Sequence, residues 1–429
     1  MTVEAIAKEM KISAPHMGAT DEKTRNAALA EIKTALLENK DEIFSENHKD
    51  LEAADENGIE DAVKKRLKFD EGKLKSVTDG LEALIDLPDP IGRVTLDREL
   101  DEGLRLVRRS CPIGVIGVIF EARPDALVQI ASLCIKSGNC AILKGGKETL
   151  NTNRILFKVI KDAVIKAGLP EGCLAQAESH AEIDELLRLD RYVDLLIPRG
   201  SNKFVRYIMD NTAIPVMGHS DGICHIYVDE ETDEAIDIIT DAKIQYAAAC
   251  NAVETLLINK NVSDDFLKKL AKRLDSEGVA INATSDMFDK IADATSKAEK
   301  ITENDFDREY LSFALGIKFV NDIDEAIDHI NRFGSHHTDA IITRDEEKIE
   351  KFMQLVDSAG VYANCSTRFS DGFRYGFGAE VGISTGKIHA RGPVGLEGLV
   401  SYKYKLIGSG DIVGDFASGA RKFKHIHHD

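Results

Sequence analysis

The sequence predicts an α/β protein of two successive strand–helix units, preceded by a helical segment and a hairpin. Three observations carry that reading. From Ile113 onward, apolar runs of strand length alternate with helical stretches: "VIGVIF" and "CAILKG" flank the helical "DALVQIASLCIKSG". A second set begins at "ETLLINK" and continues through "LSFALGIKFV", "TDAIITR" and "GVYAN". Strands that alternate with helices pair in parallel and are covered on both faces. The chain has 429 residues, more than one ordinary domain needs, so two domains are expected.

Taken in order, residues 1 to about 88 read as helices. In "TDEKTRNAALAEIKTALLENK", Thr20 is positioned to cap a helix whose apolar face carries Ala28, Ile32, Ala35 and Leu36. "LPDPIGR", Leu87 to Arg93, ends that pattern. The segment 93–112 then alternates around Gly103, as a projecting hairpin would. "YVDLLIPR", "IPVMG" and "CHIYVD" are further strands, and the two units are expected to meet near residues 230 to 250. "VSYKYKLIG" alternates like an edge or partner-pairing strand, and the terminal "HIHHD" reads as a solvated tail.

Composition narrows the function. The formal charge is 55 − 74 = −19, the wrong sign for a general nucleic-acid binder, which needs clustered Lys and Arg. The opening "MTVEAIAKEMKISAP" is charged throughout and lacks the apolar core of a secretory leader. No uninterrupted apolar run has the length of a membrane span. The seven cysteines are scattered without a CxxC pair, which predicts neither a disulfide framework nor a metal site and fits a reducing cytoplasm.

The chemistry-bearing stretches are few. In "QYAAACNAVETLLI", Cys250 follows three alanines and precedes a strand. Free cysteine packs as a small hydrophobe, but small neighbours also leave a sulfur accessible. The dinucleotide fingerprint GxGxxG and the P-loop are both absent: "PIGVIGVIFEARP" spaces its glycines wrongly, and "GNCAILKGGKET" has Ala141 and Glu148 where a P-loop needs Gly and Ser or Thr. A kinase reading loses its phosphate device. What remains is "AILKGGKE", where Lys144, Gly145, Gly146 and Lys147 close a strand as an anion pocket or a plain tight turn. In "IPRGSNKF", Gly200 and Ser201 open a helix whose amides point at an anion or merely start the helix.

Seven motifs in order, "FEARPDA", "LKGGKE", "IPRGS", "AACNAVETLL", "HINRFGSHHTDAI", "NCSTRFSDG" and "GAEVGISTGKIHARGPVGLEGL", span nearly the whole chain. Together they resemble the aldehyde dehydrogenase superfamily, and within it the γ-glutamyl phosphate reductase (glutamate-5-semialdehyde dehydrogenase) family. The resemblance implies a Rossmann-like NADP(H)-binding domain over 1–230, with the 93–112 arm used in oligomerisation. A catalytic α/β domain would cover 231–395, and a segment 396–429 would pair with the arm or a partner subunit. It implies reduction of L-glutamyl 5-phosphate by NADPH, in proline biosynthesis, with Cys250 as the nucleophile that forms a thioester. Lys144, Gly146, Lys147, Gly200, Ser201 and Glu309 are expected to bind the cofactor. Arg123, Asn251, Ser366, Thr367 and Arg368 are expected to bind the substrate. A homo-oligomer in the cytoplasm is implied, with glutamate 5-kinase as a candidate partner.

Two departures from the broader superfamily bear on chemistry. Hydrolytic members carry "ELGGK", whose Glu activates water, whereas "VMGHSDG" puts Gly218 near that place. They also carry an Asn in "PWNFP" that holds the oxyanion, and Ala122 matches it here, beside Arg123. Backbone amides would then serve the oxyanion. Lys147 stands where NAD-preferring relatives have Glu, which predicts a preference for a 2′-phosphate. His219 is a structural histidine or an influence on the thiol. A CoA-acylating aldehyde dehydrogenase and a catalytically silent member are the alternative readings.

Overall fold

A computed structural model describes residues 2–428. It divides into two compact units, one made of the chain up to Met217 with Gly378–Gly382 and the stretch from Val394, the other of Gly218–Phe377 with Ile383–Pro393. The division falls at Met217 and Gly218 rather than after residue 230, because Cys224–Val228 pairs into the second unit's sheet.

The first unit opens with five helices, Val3–Ala19, Glu22–Glu38, Lys40–Glu56, Asp61–Leu67 and Glu71–Asp86. The second of them is capped by Asp21, whose side chain accepts from Thr24 N, and not by Thr20, which ends the preceding helix. The four-stranded parallel sheet has the order Leu174–Ala177, Cys140–Lys144, Val115–Phe120, Leu195–Arg199. Its two central strands are buried along their whole length, which is why they read as unbroken apolar runs. "IPVMG" forms only an isolated bridge from Val216 to Leu196, and Leu174–Ala177 is a strand that the sequence pattern did not mark. The hairpin Val94–Asp101 and Leu104–Pro112 turns at Gly103, whose φ of 72° suits glycine. Val400–Ile407 pairs antiparallel along its second strand, and Ile426–His427 pairs with Arg98 and Glu99 of its first. Of the "HIHHD" terminus, Ile426–His427 is therefore an edge strand rather than a loose tail, tied down further by Lys424 pairing with Asp101, while Asp429 lies outside the described residues.

The second unit is built on a seven-stranded parallel sheet. Its order is Ala298–Lys300, Ala280–Ala283, Ala314–Val320, Val253–Asn259, Cys224–Val228, Thr338–Ile342, Gly360–Ala363. The first two strands are short and escaped the sequence pattern. Successive residues of the central strands face opposite layers: Ile226, Val228, Leu256 and Ile258 pack with helices Ala235–Ile244 and Asp264–Ser276, while Tyr227 and Leu257 pack with Ile323–Phe333. No helix among the described residues is long and apolar enough to cross a membrane.

One ionic pair lies inside this core. Lys243 and Glu254 are both fully buried and meet at 2.8 Å, with the Lys243 ammonium also donating to Val253 O at 3.0 Å. Burial pushes the Glu254 carboxyl up to about 7 and the Lys243 ammonium down, each opposed by the other's charge. Such a pair costs most when half of it is removed. Lys243→Met should destabilise the protein by about 3–5 kcal/mol, and adding Glu254→Leu should restore most of the loss. Urea unfolding of the single and double variants measures both.

Candidate active site

Three neighbouring strands of the larger sheet begin close together: Cys224 lies beside Val253, and Ile226 beside Ala340. The loops entering those strands carry Gly222, Cys250 and His337. In the Cys250 loop, Ala249 N donates to Tyr246 O and Ala252 N to Ala249 O, tight turns that small side chains permit. Gly222 packs directly on this loop. A Cβ built there would meet Cys250 O at 2.3 Å and Cys250 Cα at 2.5 Å. Only glycine allows that approach.

Cys250 is half-buried, and its Sγ lies 3.2 Å from His337 Nε2. His337 is buried, and its Nδ1 lies 2.9 Å from Thr338 Oγ1. Burial, helped by the charges of His219 and Arg368, drives the His337 ring well below the ordinary imidazole range, so it rests neutral. The His219 ring stands edge-on to His337 at 5.2 Å between centroids, with Nδ1 3.0 Å from Ile383 O. A carbonyl oxygen only accepts, so His219 Nδ1 carries the proton. The other six cysteines lack this setting. Burial pushes Cys134 and Cys140 up to about 12 and Cys173 up to about 11. Burial also raises Cys111, Cys365 and, far more, Cys224, whose thiol donates to Cys250 O at 3.3 Å. His337 is the residue sequence reasoning missed; the signal available was its place in "GSHHTDAI", just before a buried strand.

The substrate-binding candidates of this unit gather at the same loop. Asn251 Nδ2 donates to Ser370 O at 2.8 Å, and Thr367 Oγ1 donates to Asn251 O at 2.7 Å. Ser366 Oγ accepts from Arg368 N at 3.3 Å and starts the turn Thr367–Phe369. Arg368 Nε donates to Gln245 Oε1 at 2.9 Å, and burial lowers this guanidinium from its usual value while the nearby Cys250 opposes that shift. Asn251 Oδ1 is buried without a partner among the described residues. Glu309 Oε1 accepts from Gly222 N at 2.9 Å. Its loop is held by Leu311 N, which donates to Glu254 of the buried pair at 3.3 Å.

The remaining candidates lie in the first unit, at the carboxyl ends of its parallel strands. Lys144 is buried, and its Nζ donates to Gly145 O at 2.5 Å; burial lowers its affinity for a proton. A Cβ on Gly145 would meet Asn153 Nδ2 at 2.2 Å, and one on Gly146 would meet Glu148 Oε1 at 2.3 Å. Lys147 is exposed and opens the turn Lys147–Thr149. Gly200 and Ser201 do open a helix, Asn202–Asp210, but Ser201 N already donates to Glu121 Oε2 at 2.8 Å. A protein carboxylate thus takes the place at which an anion was expected. Ala122 adopts a left-handed φ of 48° and donates its N–H to Glu148 at 3.0 Å. Arg123 is half-exposed and pairs with buried Asp125 at 3.3 Å.

A parallel α/β fold with a histidine-paired cysteine at the entry of a central strand defines a class. The profile of the aldehyde dehydrogenase family matches residues 1–288, and the chain belongs to that family, with which comes a nicotinamide cofactor. Its relatives narrow the assignment. A γ-glutamyl phosphate reductase of Acetivibrio thermocellus is 53% identical over 427 residues, covering 99% of this chain and 98% of its own. The γ-glutamyl phosphate reductase 1 of Synechocystis is 50% identical over 427 residues, covering 99% and 98%. The crystal structure of the Thermotoga maritima γ-glutamyl phosphate reductase matches with a TM-score of 0.91 at 35% identity, over 95% of this chain and 99% of that one. An acetylating aldehyde dehydrogenase of Geobacillus thermoglucosidasius shares the fold, with a TM-score of 0.64 at 16% identity over 95% and 96%. Within the aldehyde dehydrogenase family, the chain is thus one of the γ-glutamyl phosphate reductases, and it is an enzyme.

The contact at Gly222 supplies a direct check. Gly222→Ala forces the Cys250 loop to shift, and a displacement of about 1 Å should lower kcat by on the order of 100-fold. Slower alkylation of Cys250 by iodoacetamide, with unchanged circular dichroism, would accompany it.

Proposed function

We propose that this enzyme reduces L-glutamyl 5-phosphate to L-glutamate 5-semialdehyde and phosphate with NADPH, in proline biosynthesis, through a thioester on Cys250. The observation that carries the reading is the 3.2 Å contact between Cys250 Sγ and His337 Nε2. A neutral imidazole at that distance accepts the thiol proton as sulfur attacks the acyl carbon. Phosphate leaves and the acyl group stays on sulfur. NADPH, when bound, supplies the hydride that takes the thioester to the aldehyde level. Collapse of the thiohemiacetal releases the aldehyde and the Cys250 thiolate. His337 passes its proton to the departing phosphate, and solvent reprotonates the thiolate, so one proton is consumed per turnover.

Arg368 is the residue assigned to the substrate's α-carboxylate, because its buried side chain, held by Gln245, lies near Cys250 and a guanidinium matches a carboxylate fork. Asn251 Oδ1 offers an acceptor for the α-ammonium. Ser366 and Thr367 shape the turn that carries Arg368. Arg123, already paired with Asp125, is the candidate for the phosphoryl end. Gly218 stands where a water-activating Glu would sit, which favours transfer to phosphate over hydrolysis. Lys144, Gly146 and Lys147 are proposed to hold the cofactor, and Glu309 its nicotinamide ribose. What supports the first set is a turn in which a Cβ on Gly145 would run into Asn153 at 2.2 Å and Phe120 at 3.0 Å, next to an exposed lysine. Gly200 and Ser201 would contribute through contacts other than the Ser201 amide. A homo-oligomer and glutamate 5-kinase remain the proposed partners.

The reverse reaction tests the assignment. Purified protein should reduce NADP with glutamate semialdehyde only when phosphate is present, and Cys250→Ala should lose turnover by several orders of magnitude while still binding NADPH. Dependence on CoA instead of phosphate would move the enzyme to the acylating branch. Lys147→Glu tests cofactor choice. A lost charge-assisted hydrogen bond to the 2′-phosphate is worth about 1.5–3 kcal/mol, so the NADPH/NADH preference should fall roughly ten- to a hundredfold. Michaelis constants for both cofactors decide it, and an unchanged ratio places 2′-phosphate recognition elsewhere.

A further inference from the structure

The Sγ of Cys250 and one ring nitrogen from each of His219 and His337 lie within 4.8 Å of one another. We propose that these three side chains form a binding site for a borderline-soft divalent cation, Zn2+ above all, and that the bound ion reversibly blocks the thiol. One thiolate and two imidazoles are a donor set that zinc favours over the hard cations. Bond lengths of about 2.3 Å to sulfur and 2.0–2.1 Å to nitrogen place tetrahedral donors roughly 3.3–3.6 Å apart. Cys250 Sγ and His337 Nε2 already stand at 3.2 Å. The two sides of the triangle that involve His219 are no longer than 4.8 Å.

The surroundings of the two rings match those of metal ligands. The proton on His219 Nδ1 goes to Ile383 O at 3.0 Å, so the lone pair of that ring is on Nε2. His337 Nδ1 is held by Thr338 Oγ1 at 2.9 Å, which aims Nε2 at the sulfur. Partners on the far nitrogen of this kind orient a ligating imidazole and fix which nitrogen binds. Cys250 and His219 are half-buried, so an ion has access from solvent, while buried His337 forms the floor. Three protein ligands leave one position for water. On binding, the thiol releases its proton to the buffer and sulfur becomes a metal-bound thiolate, unable to attack an acyl carbon. Only the blockade rests on Cys250 being the nucleophile; occupancy of the site does not.

Cobalt reports the site directly. Titration of the reduced, full-length protein with Co2+ should give a thiolate-to-cobalt charge-transfer band and the visible bands of a four-coordinate ion, saturating at one equivalent. Zn2+ should bleach them and stop turnover, and a chelator should restore activity. Cys250→Ser should lose the charge-transfer band, and His219→Ala or His337→Ala should weaken binding by on the order of 10- to 100-fold or more. His427→Asn with His428→Asn should leave the band in place. Absence of the band in the wild type, or its persistence in Cys250→Ser, would overturn the site. So would its loss when the terminal histidines are replaced. Bands that form at Cys250 while turnover continues would instead overturn the blockade, and with it the nucleophile assigned above. Circular dichroism confirms that each variant is folded.

Discussion

The alignment of three parallel strands at their amino ends is the constraint on which the reactive centre depends. Cys224–Val228 lies between Val253–Asn259 and Thr338–Ile342, and the pairing register brings their entry loops together. Those loops carry Gly222, Cys250 and His337. A parallel ladder is evenly bonded along its length, so the register of a strand buried on both faces is held by the whole core. Sliding the Thr338–Ile342 strand by one residue would turn Ile341 toward the layer that holds Ala340 and Ile342, and would remove His337 from the sulfur. The geometry of one thiol is thus maintained by apolar packing across an entire sheet.

Around that centre, polar groups hold the loops rather than face solvent. The Lys243–Glu254 pair joins the helix before Cys250 to the strand after it, and Glu254 also receives Leu311 N from the loop bearing Glu309. Glu309 in turn accepts from Gly222 N, and Gly222 lies against Cys250. This is a closed circuit of hydrogen bonds and one close contact. Asn251, Thr367 and Ser370 form a second set that fixes the turn carrying Arg368. The thiol of Cys250 and the guanidinium of Arg368 are thereby each held on loops that the surrounding hydrogen bonds keep in place.

Burial also sorts the cysteines chemically. Six of the seven are pushed toward the thiol form by desolvation, and several of them are sealed in the core. Cys250 alone has an imidazole nitrogen at hydrogen-bonding distance among the described residues. Reactivity is a property of that pairing and not of cysteine as such. The first unit shows the converse: the helix start after Gly200 offers an amide, but Glu121 occupies it, whereas Lys147 stays exposed at the turn Lys147–Thr149.

The sequence by itself determined the alternation of strands and helices, the hairpin around Gly103, and the family, because apolar periodicity and motif order are local properties of the chain. The alanines before Cys250 left it open between a packed and an accessible thiol, and the family resemblance turned it toward the second. The short strands Ala280–Ala283 and Ala298–Lys300 and the terminal Ile426–His427 were not legible, because their pairing comes from neighbours already in place rather than from their own pattern. The same holds for the site. His337 lies 87 residues from Cys250, and Gly222 was one glycine among 32 until a strand register set it against the thiol loop. Only the tertiary structure decided which histidine meets the sulfur and which carboxylate takes the Ser201 amide. Contacts between side chains so far apart in sequence are fixed by parallel pairing and core packing, and no local period records them.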